Sequence, residues 1–322
     1  MLASDGRALH LLRNEFPELP LFQLPSYGIT YRTSNMYFNM ALQFPKMLKA
    51  IVEEKKEIEK IVKEQHIDII ISDNRYGCFS QNTYNVFLTH QINLPIPLLV
   101  VRQIADWINR SRIKKFDECW IPDFEKMPNL SGKLSHGEHL FKIFKKIKYI
   151  GALSRMQFVE SRIKRKAIII LSGPEPQRTY LEEKILAQAA VLPFKFLLVK
   201  GQTERKEHFY PKENIEVISF LTAKKLNQAI AESEVVISRS GYTTLMDLVF
   251  LGKRAILIPT PGQTEQEYLA HHFHEQKTFY RVAQKDFNLS LALRAVEKFT
   301  GFEADTFQDN EFEKYAKALL QT

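Results

Sequence analysis

The chain has 322 residues, 45% of them hydrophobic, with 45 Lys and Arg against 37 Asp and Glu and a net charge of +8. That length suits two domains with full cores. Two cysteines, Cys78 and Cys119, give neither a disulfide framework nor a zinc pattern and fit a reducing cytoplasm. No signal peptide is legible, and the most apolar stretch, residues 92–101, is too short to span a bilayer and is interrupted by Pro95 and Pro97. The positive balance fits an anionic partner (nucleic acid, a phospholipid surface or a phosphorylated substrate) or a plain solvated basic surface.

In chain order, Met1 to Gly6 reads as the tail of a strand and its turn, leading into a helix with Leu9, Leu12 and Phe16. A doubly wound domain ordinarily opens with a strand-glycine-helix unit whose turn serves the site. The expectation is therefore a chain that begins one β-α unit late. Residues 45–65 predict a long amphipathic helix whose charges read as a solvated face. Strands are expected at Ile67–Ile71, Val86–Thr89 and Glu118–Ile121. Residues 98–114 predict a helix with apolar Leu98, Val101, Ile104, Ala105 and Ile108, followed by basic Arg110, Arg112, Lys114 and Lys115. Residues 126–140 read as loop, and the interdomain linker falls near 150–155.

The second half is more regular. Apolar runs at Ala167–Leu171, Phe196–Val199, Ile215–Ile218, Val235–Ile237, Ala255–Ile258 and Phe279–Val282 read as strands. Helical patterns lie between most of them, at about 180–191, 223–232, 242–251 and 264–276, and another follows at 286–299. Such alternation means a parallel sheet covered on both faces, with its binding crevice at the carboxyl ends of the strands. A last helix is expected at about 307–320, returning to the first domain. The domain reading is 1–152 for the first domain, 153–305 for the second and 306–322 for that terminal helix.

Residues 235–268 carry the strongest functional signal. The run Val235 to Ile237 stops at Ser238-Arg239-Ser240-Gly241, and a helix pattern opens with Tyr242, Thr243 and Thr244 and holds Asp247 in its second turn. Free N–H groups and the dipole at such a helix start hold phosphate. An acid further along can accept hydrogen bonds from ribose hydroxyls. The same residues also fit an ordinary strand-to-helix turn with an acid favoured by the dipole. At the next helix start, Gln263, Gln266 and Glu267 can read sugar hydroxyls, or Thr264 can cap the helix with Glu267 as its box partner. Ser172-Gly173-Pro174, with Gln177 beyond it, ends the first strand of the second domain and is either a phosphate turn or a plain connection.

In the first half, polar clusters follow two strands: Asp73, Asn74 and Arg75 after one, and His90, Gln91 and Asn93 after the other. His90 and Asp73 are candidate general bases, with a structural role as the alternative. Histidines 271, 272 and 274, and His136 with His139, do not form a convincing ligand set, so no metal is expected. The basic residues do not interleave with aromatics in a nucleic-acid motif, so no nucleic-acid partner is expected.

With these residues in view, the second half resembles the C-terminal domain of family 28 glycosyltransferases, a group that includes the bacterial enzyme adding N-acetylglucosamine to the undecaprenyl-linked peptidoglycan precursor. The whole chain is similar to an uncharacterised branch of that group. The resemblance implies an α/β GT-B fold: two Rossmann-like domains facing across a cleft, sugar nucleotide mainly on the second and acceptor on the first. On this resemblance Arg239, Ser240, Gly241 and Thr244 match the diphosphate turn. Asp247 takes the place of a ribose-binding acid that is usually glutamate. Gln266 and Glu267 take the place of paired amides that contact the donor sugar, with Gln263 sharing the task. Arg155 matches an arginine that neutralises the diphosphate, Ser172 and Gly173 loosely echo a Gly-Gly-Ser turn, and Phe220 and Leu221 fall where a loop receives uracil. His90, Gln91 and Asn93 echo a cluster of the acceptor domain. The family's first glycine-rich loop has no counterpart in residues 1–322, so the first domain reads as incomplete.

The reading is a cytoplasmic hexosyltransferase that uses a UDP-sugar, requires no metal or other cofactor and passes N-acetylglucosamine or another hexose to an unknown acceptor, with a lipid-linked or cell-envelope glycan as the candidate. For a lipid-linked acceptor, residues 92–115 would rest on the inner membrane face. A UDP-sugar epimerase of the same fold and a non-catalytic nucleotide-sugar-binding protein are the alternatives.

Overall fold

The computed structural model describes residues 1–28, 36–137, 147–203, 206–302 and 311–321. The chain divides into two compact units, residues 1–122 with 133–149, and residues 123–132 with 150–322.

In the first unit, β1 (Leu2–Ser4) and β2 (Leu21–Gln23) pair in parallel around α1 (Gly6–Glu15). The helix α2 (Met36–Gln65) starts well before the expected residue 45 and carries Pro45 within it. A four-stranded parallel sheet follows, in the order β3 (Ile69–Asp73), β4 (Tyr84–Leu88), β5 (Glu118–Ile121) and β6 (Ile147–Tyr149). Helix α3 (Leu99–Ile113) connects β4 to β5, and its buried residues are Asn109 and Ile113. The core gathers Phe87, Ile92, Ile113, Phe116 and Ile121 on one side, and Leu24, Ile58, Ile61 and Val62 on another. Both cysteines are free and buried, and burial pushes each thiol up to about 12, which keeps them unreactive near neutrality.

The second unit is built on β7 (Arg165–Ile170), α4 (Gln177–Ala189), β8 (Phe196–Val199), β9 (His208–Lys212), β10 (Ile215–Ile218), α5 (Ala223–Ala231), β11 (Ser233–Ser238), α6 (Tyr242–Leu251), β12 (Arg254–Leu257), α7 (Thr264–Glu275), β13 (Tyr280–Arg281), α8 (Leu289–Ala295) and α9 (Glu311–Leu319). The sheet order is β13-β12-β11-β7-β8-β10-β9, parallel except for the hairpin strand β9. Residues such as Ile168, Ile169, Val236, Ile237, Ile256 and Leu198 are almost fully buried, as expected of strands covered on both faces. The segment expected as one helix at 286–299 is α8 flanked by short 3-10 turns. Of the last helix expected from the sequence, residues 307–310 lie outside the described residues, and α9 groups with the second unit. Among the described residues no helix is long and apolar enough to cross a membrane.

Candidate functional site

Strand order determines where a ligand meets this sheet. From β7 the chain builds outward through β8 to β10, then returns to the other side of β7 and builds outward again through β11, β12 and β13. The direction therefore reverses between β7 and β11, and in open α/β sheets the crevice opens at that point, outside the carboxyl ends. Those two ends carry Ser172-Gly173 and Arg239-Ser240-Gly241. Ser172 and Gly173 are exposed, and Gly173 sits at φ +97°, a conformation that suits glycine. Helix α6 opens on Gly241 as N-cap, with no side-chain cap bond. A Cβ on Gly241 would meet nothing within 4 Å. Space is thus open beside the start of α6, where Thr243 is exposed.

Side chains around this rim mostly fix its backbone. Arg239 is 1% exposed, and its guanidinium donates to the carbonyls of Ile258 (3.1 Å), Pro259 (3.3 Å) and Gln177 (2.9 Å). One side chain therefore ties the ends of β11 and β12 to the start of α4, and burial lowers its pKa to about 10. Ser240 Oγ donates to the Gln266 carbonyl at 2.8 Å. The Gln266 side chain accepts from Thr260 N–H at 2.9 Å and donates to the Gln263 side-chain oxygen. Glu267 accepts from Gly262 N–H at 3.0 Å. The N-cap of α7 is Gln263 rather than Thr264, so the three polar side chains brace the 259–263 turn instead of forming the expected capping box. Gln177 also accepts from Gln284 at 3.0 Å. Phe220 and Leu221 lie half-buried after β10, beyond Ser219, which is hydrogen-bonded to Glu207.

The linker meets the same helix. Ser154 Oγ donates to Asp247 Oδ1 at 2.5 Å. Burial raises the Asp247 pKa above the ordinary carboxylate value, against opposing effects of Ser154 and of the nearby charge of exposed Arg155. Asp247, Arg155 and the α6 start thus cluster at one end of the second unit.

On the first unit, Asp73 ends β3 and His90 follows β4, and the two are close enough to interact electrostatically. The surrounding protein raises the Asp73 pKa, with His90 opposing. Asn74, with φ 54°, donates its N–H to the Leu88 carbonyl at 3.0 Å. Gln91 N–H donates to Thr89 Oγ1 at 3.1 Å, and the Gln91 carbonyl accepts from Asn109. Asn93 is held by Lys133 and Arg110. Arg75 is engaged inside the unit: it donates to Glu54, to Asp5 at 2.6 Å and to the Pro25 carbonyl at 2.8 Å, and stacks over Tyr27. Glu54, 0% exposed, also accepts from Gly77 N–H and the Tyr27 hydroxyl. Among the described residues no group of three His, Cys, Asp or Glu side chains is placed to hold a metal, and His139 lies outside them.

One polar network escaped the sequence reading. The segment 123–132, of which residues 126–132 were expected as loop, closes around the buried carboxylate of Asp123 and groups with the second unit. Its signal is an acid two residues past a wholly buried strand, followed by Asn129, Ser131 and Gly132, residues that favour tight side-chain-to-backbone turns.

A pair of Rossmann-like units of this kind is the GT-B architecture, the fold of many nucleotide-sugar enzymes. MurG of Acinetobacter baumannii aligns with a TM-score of 0.56 at 12% identity, covering 98% of this chain and 89% of that one. The UDP-GlcNAc 2-epimerase of Methanocaldococcus jannaschii aligns at 0.54 with 10% identity, covering 100% and 99%. Residues 169–319 match the glycosyltransferase family 28 C-terminal domain. An uncharacterized glycosyltransferase of Methanosarcina mazei is 24% identical over 238 residues, 68% of this chain and 61% of that protein. The UDP-N-acetylglucosamine–N-acetylmuramyl-(pentapeptide) pyrophosphoryl-undecaprenol N-acetylglucosamine transferase of Caldanaerobacter subterraneus is 24% identical over 139 residues, 40% of this chain and 37% of the enzyme. The aligned stretches thus span less than two thirds of either curated relative. The similarity to glycosyltransferase family 28 thus lies in the C-terminal half of the chain.

Proposed function

We propose that the second unit binds a UDP-sugar at the carboxyl rim of β7 and β11 and that the chain transfers the sugar to an acceptor hydroxyl. The observation that carries this reading is the α6 start: a glycine N-cap without a side-chain cap, facing open space beside the point where the sheet order reverses. In this reading the first-turn N–H groups of α6 and the Ser172-Gly173 turn hold the diphosphate. Arg155 adds positive charge, so that charge developing on the leaving UDP is met by groups already in place. Asp247 accepts from the ribose, Phe220 and Leu221 border the uracil, and Gln263, Gln266 and Glu267 border the sugar. Arg239 acts by holding the turns rather than by touching phosphate. The general base is Asp73 or His90. Asp73 serves only as carboxylate, so its raised pKa makes transfer increase with pH through its titration.

The acceptor reading adds a surface. Leu98, Val100 and Trp107 of the α3 region are 64%, 63% and 70% exposed, with Leu99, Val101 and Ile104 beside them and Arg102, Arg110, Arg112, Lys114 and Lys115 along the same segment. An apolar face edged by cations suits the anionic inner leaflet and a lipid-linked acceptor. Purified protein that ignores anionic vesicles at low salt sinks that part. For the donor reading, UDP titration and product analysis with UDP-N-acetylglucosamine are decisive. Binding with transfer or slow donor hydrolysis supports a transferase. Turnover to a 2-epimer without acceptor replaces it with the epimerase, and binding without any turnover leaves a nucleotide-sugar-binding protein. Failure to bind UDP removes the reading.

A further inference from the structure

Helix α6 lacks a cap of its own, since Gly241 offers no side-chain oxygen to its first turn. Its first residue, Tyr242, is anchored from elsewhere in the sequence. The Tyr242 ring is buried, and its hydroxyl donates to the carboxylate of Asp123, with the Ser131 hydroxyl also within hydrogen-bond reach. Asp123 is 0% exposed. Its carboxylate also accepts from the N–H groups of Phe124 (2.8 Å), Leu130 (2.7 Å) and Ser131 (2.8 Å) and from the Ser131 hydroxyl (2.5 Å). A carboxylate saturated by donors in this way is a rigid point, because moving it leaves several buried groups unpaired.

The strap formed by residues 123–132 also meets α7. Gly132, at φ +51°, lies so close to Tyr268 and His272 that a Cβ would fall 2.4 Å from the Tyr268 hydroxyl. Asn129 Oδ1 accepts from Gly132 N–H at 3.0 Å, and Gly151 N–H donates to the Asp123 carbonyl at 3.0 Å. The strap is therefore fastened at both ends and in the middle, and it touches both helices that start at the rim.

We infer that Asp123 is a positioning residue for the diphosphate turn: acting through the Tyr242 hydroxyl, it fixes the first turn of α6 so that its uncapped N–H groups stay open and aimed at the ligand. A side-chain cap would occupy those same N–H groups. An anchor on the helix's first residue holds the turn and leaves them free, which is the arrangement an anion site needs. This rests on the donor-site reading above.

The test compares UDP with uridine on the full chain. Tyr242→Phe keeps the buried ring and removes only the hydroxyl; Asp123→Asn keeps the shape and removes the charge. Expected is a loss of roughly tenfold or more in UDP affinity by calorimetry, with uridine binding, followed by saturation-transfer NMR, unchanged. A general packing defect would weaken both ligands. Variants that bind UDP as the wild type does, or that lose UDP and uridine in equal proportion, overturn the inference. Should Asp123→Asn fail to fold, Tyr242→Phe decides alone. A wild type that binds no UDP overturns the donor-site reading and this inference together, whereas a wild type that binds with indifferent variants overturns only this inference.

Discussion

The two larger sheets among the described residues place polar residues at the carboxyl ends of their strands in different ways. At the β7–β11 rim the exposed elements are two glycine turns and the uncapped start of α6, with the short side chains of Ser172 and Thr243 exposed beside them, while the long polar side chains Arg239, Gln266 and Glu267 turn back to hold the turns. At the β3–β4 rim the titratable pair Asp73 and His90 lies at the strand ends, while Arg75 and Asn93 are taken into internal hydrogen bonds. Backbone N–H groups fixed by buried bonds suit a ligand bound the same way in every cycle. Side chains that titrate suit the moving proton of the chemistry. On the proposed function, the first rim would serve binding and the second proton transfer.

The largest expected effect tests whether the Arg75 network is scaffold. Glu54→Ala leaves Arg75 half-buried without its main partner and should destabilise the chain by about 4 kcal/mol in urea unfolding, while folded protein keeps its UDP affinity. Loss of UDP affinity in the folded variant would erase the distinction between the two rims. Next, Arg239→Met leaves the carbonyls of Ile258, Pro259 and Gln177 without their donor. About 3 kcal/mol of stability should go, and UDP binding with it, since three turns lose their common tie. A destabilised but fully binding variant would show that the turns do not need Arg239.

A smaller change isolates the ligand face. Gly241 has an ordinary φ and open space around its Cα, so Gly241→Ala should cost under about 1 kcal/mol. The methyl group would nevertheless stand over the helix start, so UDP affinity should fall much more than stability does. Equal affinity would place the ligand elsewhere on the rim. The smallest effect concerns Asp247. Burial raises its folded-state pKa, so the folded chain holds that proton more tightly than the unfolded one. Its contribution is therefore most favourable at low pH, and stability declines as pH rises from the ordinary aspartate range through the raised value. Asp247→Asn should flatten that slope and gain up to about 1 kcal/mol near neutrality while weakening UDP. An unchanged slope in urea midpoints would show that the carboxyl is not the titrating group.

Much of this molecule is legible without its structure. The runs around Ile168, Leu198, Val236 and Ile256 are apolar on both faces, and their alternation with helical patterns announces a covered parallel sheet. The glycine turns at the strand ends follow from the same pattern. Less visible were β2, β6 and β9. Strand β9 is HFYPK, exposed throughout and containing Pro211, which an edge strand tolerates but which breaks every apolar periodicity. The face of α3 is a different case. Its spacing marks Leu98, Val101 and Ile104 as apolar; they are exposed while Asn109 is buried, because periodicity reports that a face is apolar and not what covers it.

What the sequence by itself determined is the order of strands and helices and the positions of the turns, since these follow from local propensity and from the spacing of apolar residues. Tertiary structure alone decided which polar side chains are taken into internal hydrogen bonds. Arg239 reads as a phosphate contact in the sequence and its guanidinium folds as an internal tie, and Asp123, given no role from the sequence, folds as a buried acceptor joined to Tyr242. The reason is physical. A long polar side chain takes whichever unpaired carbonyl or N–H group the fold brings within about 3 Å, and those groups come from residues far away in the chain, such as Gln177 for Arg239 and Tyr242 for Asp123.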